Sequence, residues 1–140
     1  MSIVQTQTTS FKAELYQGVH DLTTDVIKIA LYTANADLNA STTVYSTSNE
    51  IAATGTYVAG GAQLTPITVS SSTSDATAYV GFPNISWTGN ITARCALIYN
   101  ASKGNKAVAV LDFGSDKTSS NFTITMPANT STTALLRSSY

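Results

Sequence analysis

The clearest hydrophobic pattern in the chain has a period of two. Ile27, Ile29 and Leu31 alternate with other side chains, and successive residues of a strand point to opposite faces, so this spacing predicts a β-strand. Further strands are predicted where similar short patterns recur, at 43–45, 62–69, 77–82, 85–87, 91–99, 106–113, 122–126 and 134–137. Turn-forming residues lie between them, at 60–61, 70–75, 89–90, 103–105 and 114–120. About eight short strands at this spacing favour an all-β chain built as a β-sandwich or a jelly roll.

A short helix is predicted near the N-terminus. Ser10 is a residue type that caps helices, and Gly18 is suited to end one. The apolar residues in this region follow helical spacing, at Phe11, Leu15, Val19 and Leu22. Residues 1–9 are polar and without pattern, which predicts an extended N-terminal arm in front of a single domain that spans 10–140.

Two strands are apolar on both faces and are expected at the centre of a sheet. They lie at 93–99 and 106–113, and the turn residues at 100–105 between them predict a hairpin. Strands of this kind are buried on both sides, so a second sheet is expected to cover them. The segment 33–61 is long, polar and weakly patterned, so we expect it either to carry a contact function or to pack as an ordered flap.

The composition excludes two classes of partner. Charged residues make up only 11% of the 140 residues, against about 25% in a typical soluble domain. The 7 basic residues are scattered along the chain, whereas binding to nucleic acid or to an anionic membrane needs clustered Lys and Arg. Serine and threonine replace the missing charges. Uncharged hydroxyls cost less to desolvate than charged groups, so such a surface suits broad contact with other protein.

Few residues could carry catalysis. His20 is the only histidine and adjoins Asp21; we interpret it as a solvent-facing cation or as a cation at the C-terminal end of the helix. Cys95 is the only cysteine and lies in an apolar segment, so we interpret it as a buried apolar residue. Asp112 lies within an apolar strand, and we expect it to form a salt bridge with Arg94 on the neighbouring strand. Because no nucleophile–base pair and no set of metal ligands is evident, no enzyme activity, metal or cofactor is expected.

No targeting signal is expected. The first residues lack the basic region and the apolar run of a signal peptide. No stretch approaches the roughly 18 apolar residues that a membrane span needs. Synthesis in a cytoplasm, without insertion into a membrane, is therefore expected.

Several segments together resemble one known family. They are SFKAEL at 10–15, IKIALYT at 27–33, YVAGG at 57–61, TARCALIYN at 92–100 and KAVAVLDFG at 106–114. In this order they resemble a family of small virion structural proteins of tailed bacteriophages, and the likeness extends from about Ser10 to Arg137. The resemblance implies a component of the phage particle, and it carries no catalytic residue onto this sequence.

The resemblance and the composition together favour a non-enzymatic capsid decoration (cement) protein. Such a protein binds the outer lattice of the major capsid protein and stabilises the head, so its expected place is the outer capsid surface of the virion, after synthesis in the host cytoplasm. The expected partners are the major capsid protein and copies of the chain itself, as a homotrimer or a homodimer, with no nucleic acid and no membrane. The residues expected to contact the capsid or a neighbouring subunit are Ile3, Val4, Phe11 and Leu15.

The sequence also allows a location in the tail of the particle. The alternative is a tail adaptor, or a tail-fibre or receptor-binding component that binds surface glycan. Such a module needs an exposed aromatic ring, and Trp87 would supply it by stacking on a sugar. Trp87 follows Ile85 at period two, however, and this spacing favours a position in the core.

Overall fold

Residues 2–139, which the computed structural model describes, form two antiparallel β-sheets and one short α-helix. Met1 and Tyr140, the outer ends of the predicted arm and domain, lie outside the described residues. The helix is α1 (Thr9–Tyr16), and a 3-10 turn spans Ala101–Lys103. The strands are β1 (Thr6–Gln7), β2 (Ile27–Tyr32), β3 (Ala62–Gln63), β4 (Thr68–Ser72), β5 (Thr77–Gly81), β6 (Ile85–Asn100), β7 (Lys106–Ile124) and β8 (Leu136–Ser139). Strands make up 47% of the chain and helix 8%, so the prediction of an all-β chain is confirmed.

The two sheets differ in size. The larger sheet has the strand order β1-β7-β6-β2-β3, and the smaller sheet has the order β4-β5-β8. β6 and β7 form a hairpin, and their pairing extends from Asn100 opposite Lys106 to Ile85 opposite Ile124 with three register shifts. The chain reverses between them with Gly104 and Asn105 at positive φ angles of 68° and 60°. The predicted hairpin at 100–105 is therefore confirmed.

The predicted turn at 89–90 and the predicted loop at 114–120 are wrong, because both segments lie within the long strands β6 and β7. Gly89 has a φ of 134° at a register shift between Thr88 and Ile91, where β6 carries a bulge. Glycine suits a bulge as well as a turn, since both can require a backbone angle that a side chain disfavours. The polar residues of 114–120 extend β7 as its solvent-exposed part.

Helix α1 begins earlier than its apolar spacing predicts. Thr8 caps it, because the Oγ1 of Thr8 accepts a hydrogen bond from the N–H of Phe11 at 3.2 Å. Ser10 lies inside the helix, so its predicted role as the cap is wrong. The N–H of Thr8 donates to the carbonyl oxygen of Val108 in β7 at 3.0 Å. The chain therefore leaves the larger sheet at Thr8, and the helix starts there.

The N-terminal segment lies against its own domain. β1 pairs with β7 at the edge of the larger sheet. The N–H of Val4 donates to the oxygen of Leu38 at 3.0 Å, and the N–H of Leu38 donates to the oxygen of Ser2 at 2.8 Å. The segment predicted as an arm is thus extended and hydrogen-bonded along the body of the protein.

The part of the larger sheet formed by β2 and by the segments 95–100 of β6 and 107–111 of β7 is buried on both faces, as its apolar strands predict. Ile29 of β2 packs in a cluster that includes Phe11 of α1 and Leu136 of β8. Tyr32 of the same strand packs in a second cluster, which includes Leu38. The helix and the smaller sheet thus cover one face together with Ile51 and Tyr57 of the segment 33–61, called the flap below. Other residues of the flap, among them Ala36 and Leu38, cover the second face. The expected covering sheet is present on one face only, and the flap is ordered.

Candidate functional site

His20 is buried, and both of its ring nitrogens have partners. Nδ1 lies 2.9 Å from Nδ2 of Asn100, and Nε2 lies 2.9 Å from Oε1 of Glu14. Oδ1 of Asn100 accepts from the N–H of Ser102, so its amide nitrogen donates to Nδ1 and the ring proton lies on Nε2, facing Glu14. Both predicted positions of His20 are wrong, because its side chain is fully buried and α1 ends at Tyr16, before His20. Neither ring nitrogen is free to activate a nucleophile.

The same asparagine joins His20 to an acidic group. Nδ2 of Asn100 donates to Oδ2 of Asp25 at 2.8 Å, and Nζ of Lys103 donates to Oδ1 at 3.3 Å. Burial acts to raise the pKa of Asp25, but hydrogen bonds from Asn100, from the N–H of Asp21 and from Lys103 hold this pKa below its ordinary value. The charged carboxylate therefore fixes the end of the β6–β7 hairpin to the segment in front of β2.

Arg94 and Asp112 form the predicted salt bridge between β6 and β7. The Asp112 carboxylate also accepts from the N–H of Gly114 at 2.8 Å, and this bond, followed by the contact with Arg94, lowers the pKa of Asp112. Cys95 is fully buried, and burial raises the pKa of its thiol to about 11. A buried, protonated thiol is a poor nucleophile at neutral pH. The interpretation of Cys95 as a core residue is confirmed.

Two further kinds of site are not found in residues 2–139. No group of three or more His, Cys, Asp or Glu side chains lies close enough together to hold a metal ion. No helix in this part of the chain has the length and apolar composition to cross a membrane.

Trp87 lies in the core. Its side chain is buried, and its ring packs edge-on against Tyr57 with a centroid distance of 5.5 Å and an interplanar angle of 60°. Ile91 on the same strand and Phe122 on β7 belong to the same cluster. The interpretation of Trp87 as a core residue is confirmed, and the buried ring is not placed to stack on a sugar.

A polar surface lies on the outward side of β6 and β7 where they extend beyond the other strands of the larger sheet. We call it the ribbon face. The side chains of β6 from 86 to 93 alternate between solvent and the core, and those of β7 alternate at 122–124. The inward side chains are largely apolar, and the charged residues Asp116 and Lys117 adjoin this part of β7 at its exposed end. The outward side chains of the ribbon face are uncharged hydroxyls and amides. They are Ser86, Thr88, Asn90, Thr92, Thr118, Asn121 and Thr123.

Hydrogen bonds between the two strands hold the ribbon face in position. The hydroxyl oxygens of Ser86 and Thr123 are 2.9 Å apart, and those of Thr92 and Thr118 are 2.8 Å apart. Both pairs lie directly opposite each other in the register, an arrangement that stabilises antiparallel strands. Each hydroxyl can donate and accept. The four hydroxyls of these pairs therefore present neutral hydrogen-bonding groups in fixed positions, and a contact made by them costs little side-chain freedom.

The four residues expected to contact a partner differ in accessibility. Val4 is 50% exposed and Leu15 is 42% exposed. Ile3 is half-buried and forms a bridge with Leu38. Phe11 is buried in the core, because the first turn of α1 directs its ring against the larger sheet. Only Val4 and Leu15 therefore present a large part of their side chains to solvent.

Leu15 lies at an apolar groove between α1 and the smaller sheet. The groove has a volume of about 510 Å³, and Val69, Val80 and Leu136 contribute to its lining. The sequence patterns predict neither this groove nor the ribbon face. The signal for the ribbon face is the polar alternation on either side of 89–90, which the Gly-Asn pair obscures by resembling a turn.

A scan of family models and searches among curated proteins and solved structures find no match to this chain.

Proposed function

We propose that this chain is a non-enzymatic structural protein of a tailed-bacteriophage virion and acts as a capsid decoration (cement) protein. It binds the outer lattice of the major capsid protein and stabilises the head. The observation that carries the proposal is the ribbon face, a neutral hydroxyl surface on strands that the core holds in place. The resemblance of five sequence segments to small phage virion proteins supports the same assignment.

The ribbon face suits contact with a protein lattice for a physical reason. Burying a charged side chain without a partner carries a large desolvation penalty, whereas a hydroxyl needs only one hydrogen-bond partner to be satisfied. The hydroxyls of Thr92 and Thr118 are already fixed by their mutual bond. Many such small contacts, repeated over a shell, add to the stability of the assembled lattice by mass action, because the protein binds the lattice and not its separate parts.

The rest of the chain supports a structural role. The titratable groups with shifted pKa values, such as Asp25 and Asp112, bind neighbouring side chains and backbone of the same chain. The proposed body is a β-sandwich in which the larger sheet packs on the smaller one, and Leu31 of β2 and Leu136 of β8 share one core cluster. In the virion the body lies on the outer capsid surface, next to the major capsid protein and to further copies of itself.

Capsid binding by two matched variants tests the proposal. Asn121→Lys places a charge on the ribbon face at a side chain that makes no hydrogen bond within residues 2–139. Thr47→Lys adds the same charge to an exposed position of the flap and serves as the control. We expect Asn121→Lys to weaken co-sedimentation with capsids that lack this protein by at least about tenfold, and Thr47→Lys to bind as the wild type does. Equal binding by all three proteins would contradict a contact through the ribbon face.

The number of copies per purified virion separates head from tail. Quantitative mass spectrometry against the major capsid protein measures it. A ratio of about one, or of about one-third to one-half, supports a cement protein on the head lattice. About a dozen copies would instead indicate the tail adaptor or receptor-binding alternative.

A further inference from the structure

The strand edges within residues 2–139 are protected against pairing with other chains, with one exception. β1 and β3 are only two residues long. At the β8 edge, Nε2 of Gln7 donates to the oxygen of Arg137 at 3.4 Å. The free edge of β6 is covered where the N–H of Thr56 donates to the oxygen of Thr88 at 2.8 Å, and the free part of β7 carries a charge at Asp116. Short strands, covering segments and charges are the usual means of preventing edge-to-edge association.

β4 has none of these protections. It contains the uncharged residues Thr68–Ser72, without Pro or Gly, and pairs with β5 in an unshifted five-residue register. On its other side, no backbone N–H or C=O of this strand has a hydrogen-bond partner among the described residues. An open, regular, neutral edge of this kind is a template for one more strand.

We propose that the occupant of this edge is β4 of a second copy of the chain. Two copies of one edge complement each other when a two-fold axis relates them, because antiparallel strands then exchange the same N–H and C=O groups in both directions. With the axis beside Ser70, the middle residue of β4, Ser70 lies opposite its own copy. The two smaller sheets then become one continuous six-stranded sheet.

Charge favours a second copy over a charged peptide. β4 offers no side-chain charge to attract an acidic or a basic segment. The chain has a net charge of only −1, so two copies approach each other with little repulsion.

Apolar surface next to the edge adds to the contact. Val69 of β4 is 49% exposed and lines the same groove as Leu15, which is 42% exposed. A stable interface covers about 800 Å² of each partner, a small part of the 7041 Å² surface of the chain. The strand pairing and these side chains supply contacts of both kinds, polar backbone and apolar side chain.

This inference adds an oligomeric state to the proposed function and rests on that function, because a protein that covers a lattice presents its copies in a fixed geometry. It selects the homodimer over the homotrimer, because antiparallel pairing of one edge with itself requires a two-fold axis.

Sedimentation equilibrium of the full chain over a wide range of concentration tests the pairing. Ser70→Thr is the matched control, because it keeps a neutral hydroxyl. Ser70→Lys and Ser70→Glu each place like charges opposite one another across the axis. We expect the wild type and Ser70→Thr to sediment at twice 14.6 kDa, and each charged variant to have a dimer dissociation constant at least about tenfold higher. An equimolar mixture of Ser70→Lys and Ser70→Glu is expected to restore the dimer, which a variant that failed to fold could not do.

The outcomes separate this inference from the proposed function. A wild-type monomer or trimer, a dimer unaffected in Ser70→Lys, or a mixture that stays monomeric overturns the β4 pairing. A monomeric wild type that still co-sediments with capsids overturns the pairing and leaves the capsid role intact. A wild-type dimer that depends on Ser70 but does not bind capsids supports the pairing and contradicts the capsid role.

Discussion

The carboxylate of Glu50 accepts a hydrogen bond from the hydroxyl of Tyr57 at 2.6 Å. That hydroxyl accepts in turn from the N–H of Leu31 in β2 at 2.9 Å. Glu50 also accepts from the hydroxyl of Tyr45 at 2.5 Å and from the N–H of Gly60 at 2.8 Å. One carboxylate therefore ties separate parts of the flap to each other and, through Tyr57, to the larger sheet. This network explains how a long polar segment with little regular structure is ordered.

Tyr57→Phe is expected to lower the free energy of unfolding by about 1–3 kcal/mol, because it leaves the buried N–H of Leu31 without an acceptor and takes a donor from Glu50. Urea denaturation measures the change. Tyr79→Phe is the control, since Tyr79 is half-buried and its hydroxyl makes no hydrogen bond in the described part of the chain; its effect is expected within about 0.5 kcal/mol. Equal effects of the two substitutions would contradict the role given to the Tyr57 hydroxyl.

The tyrosines around Glu50 predict a loss of stability at alkaline pH. Burial, followed by the hydrogen bond to Glu50, raises the pKa of Tyr57 and of Tyr45. Burial also raises the pKa of Tyr99 from 10.0 to about 12. As the pH rises above the unfolded value, the unfolded chain loses these protons first, so the folded state binds more protons and the free energy of unfolding falls. The contribution is complete below about pH 10 and is lost as the pH rises through the folded pKa values.

Urea midpoints measured from about pH 8 to about pH 12 test this dependence. Tyr99→Phe removes one of the shifted groups, so the decline above about pH 10 is expected to be shallower in that variant than in the wild type. A midpoint that stays constant over this range would show that the tyrosine hydroxyls are not buried as described.

Some features could be predicted because their signals are local. Strand β2 follows from strict alternation at Ile27, Ile29 and Leu31, and the β6–β7 hairpin follows from turn residues between two apolar strands. The salt bridge between Arg94 and Asp112 could be predicted once those strands were expected to be neighbours. In each case the residues that decide the structure lie within one strand or in two strands joined by a short turn.

Other features depend on partners that are distant in the sequence. His20 is buried because Asn100, 80 residues away, binds its ring. The helix cap is Thr8 rather than Ser10 because β7 fixes the backbone at Thr8, and two nearby hydroxyl residues are equivalent as local signals. Gly89 forms a bulge because a continuous partner strand lies opposite it. These choices are made by tertiary contacts, which a pattern along one segment does not contain.

Alanine substitutions at Gly61 and Gly18 separate two effects on stability. One is the close approach of the flap to β2, and the other is the strain of a backbone with positive φ. Both glycines have positive φ angles, +79° and +71°. A Cβ on Gly61 would lie 1.7 Å from the carbonyl oxygen of Ile29, whereas a Cβ on Gly18 would have no atom within 4 Å. Gly18→Ala is therefore expected to cost only the strain of a left-handed residue, about 1–2 kcal/mol. Gly61→Ala adds a clash with the backbone of β2 and is expected to cost more than about 4 kcal/mol or to prevent folding. Urea denaturation of both variants gives the difference, and equal losses would mean that the flap does not lie against Ile29.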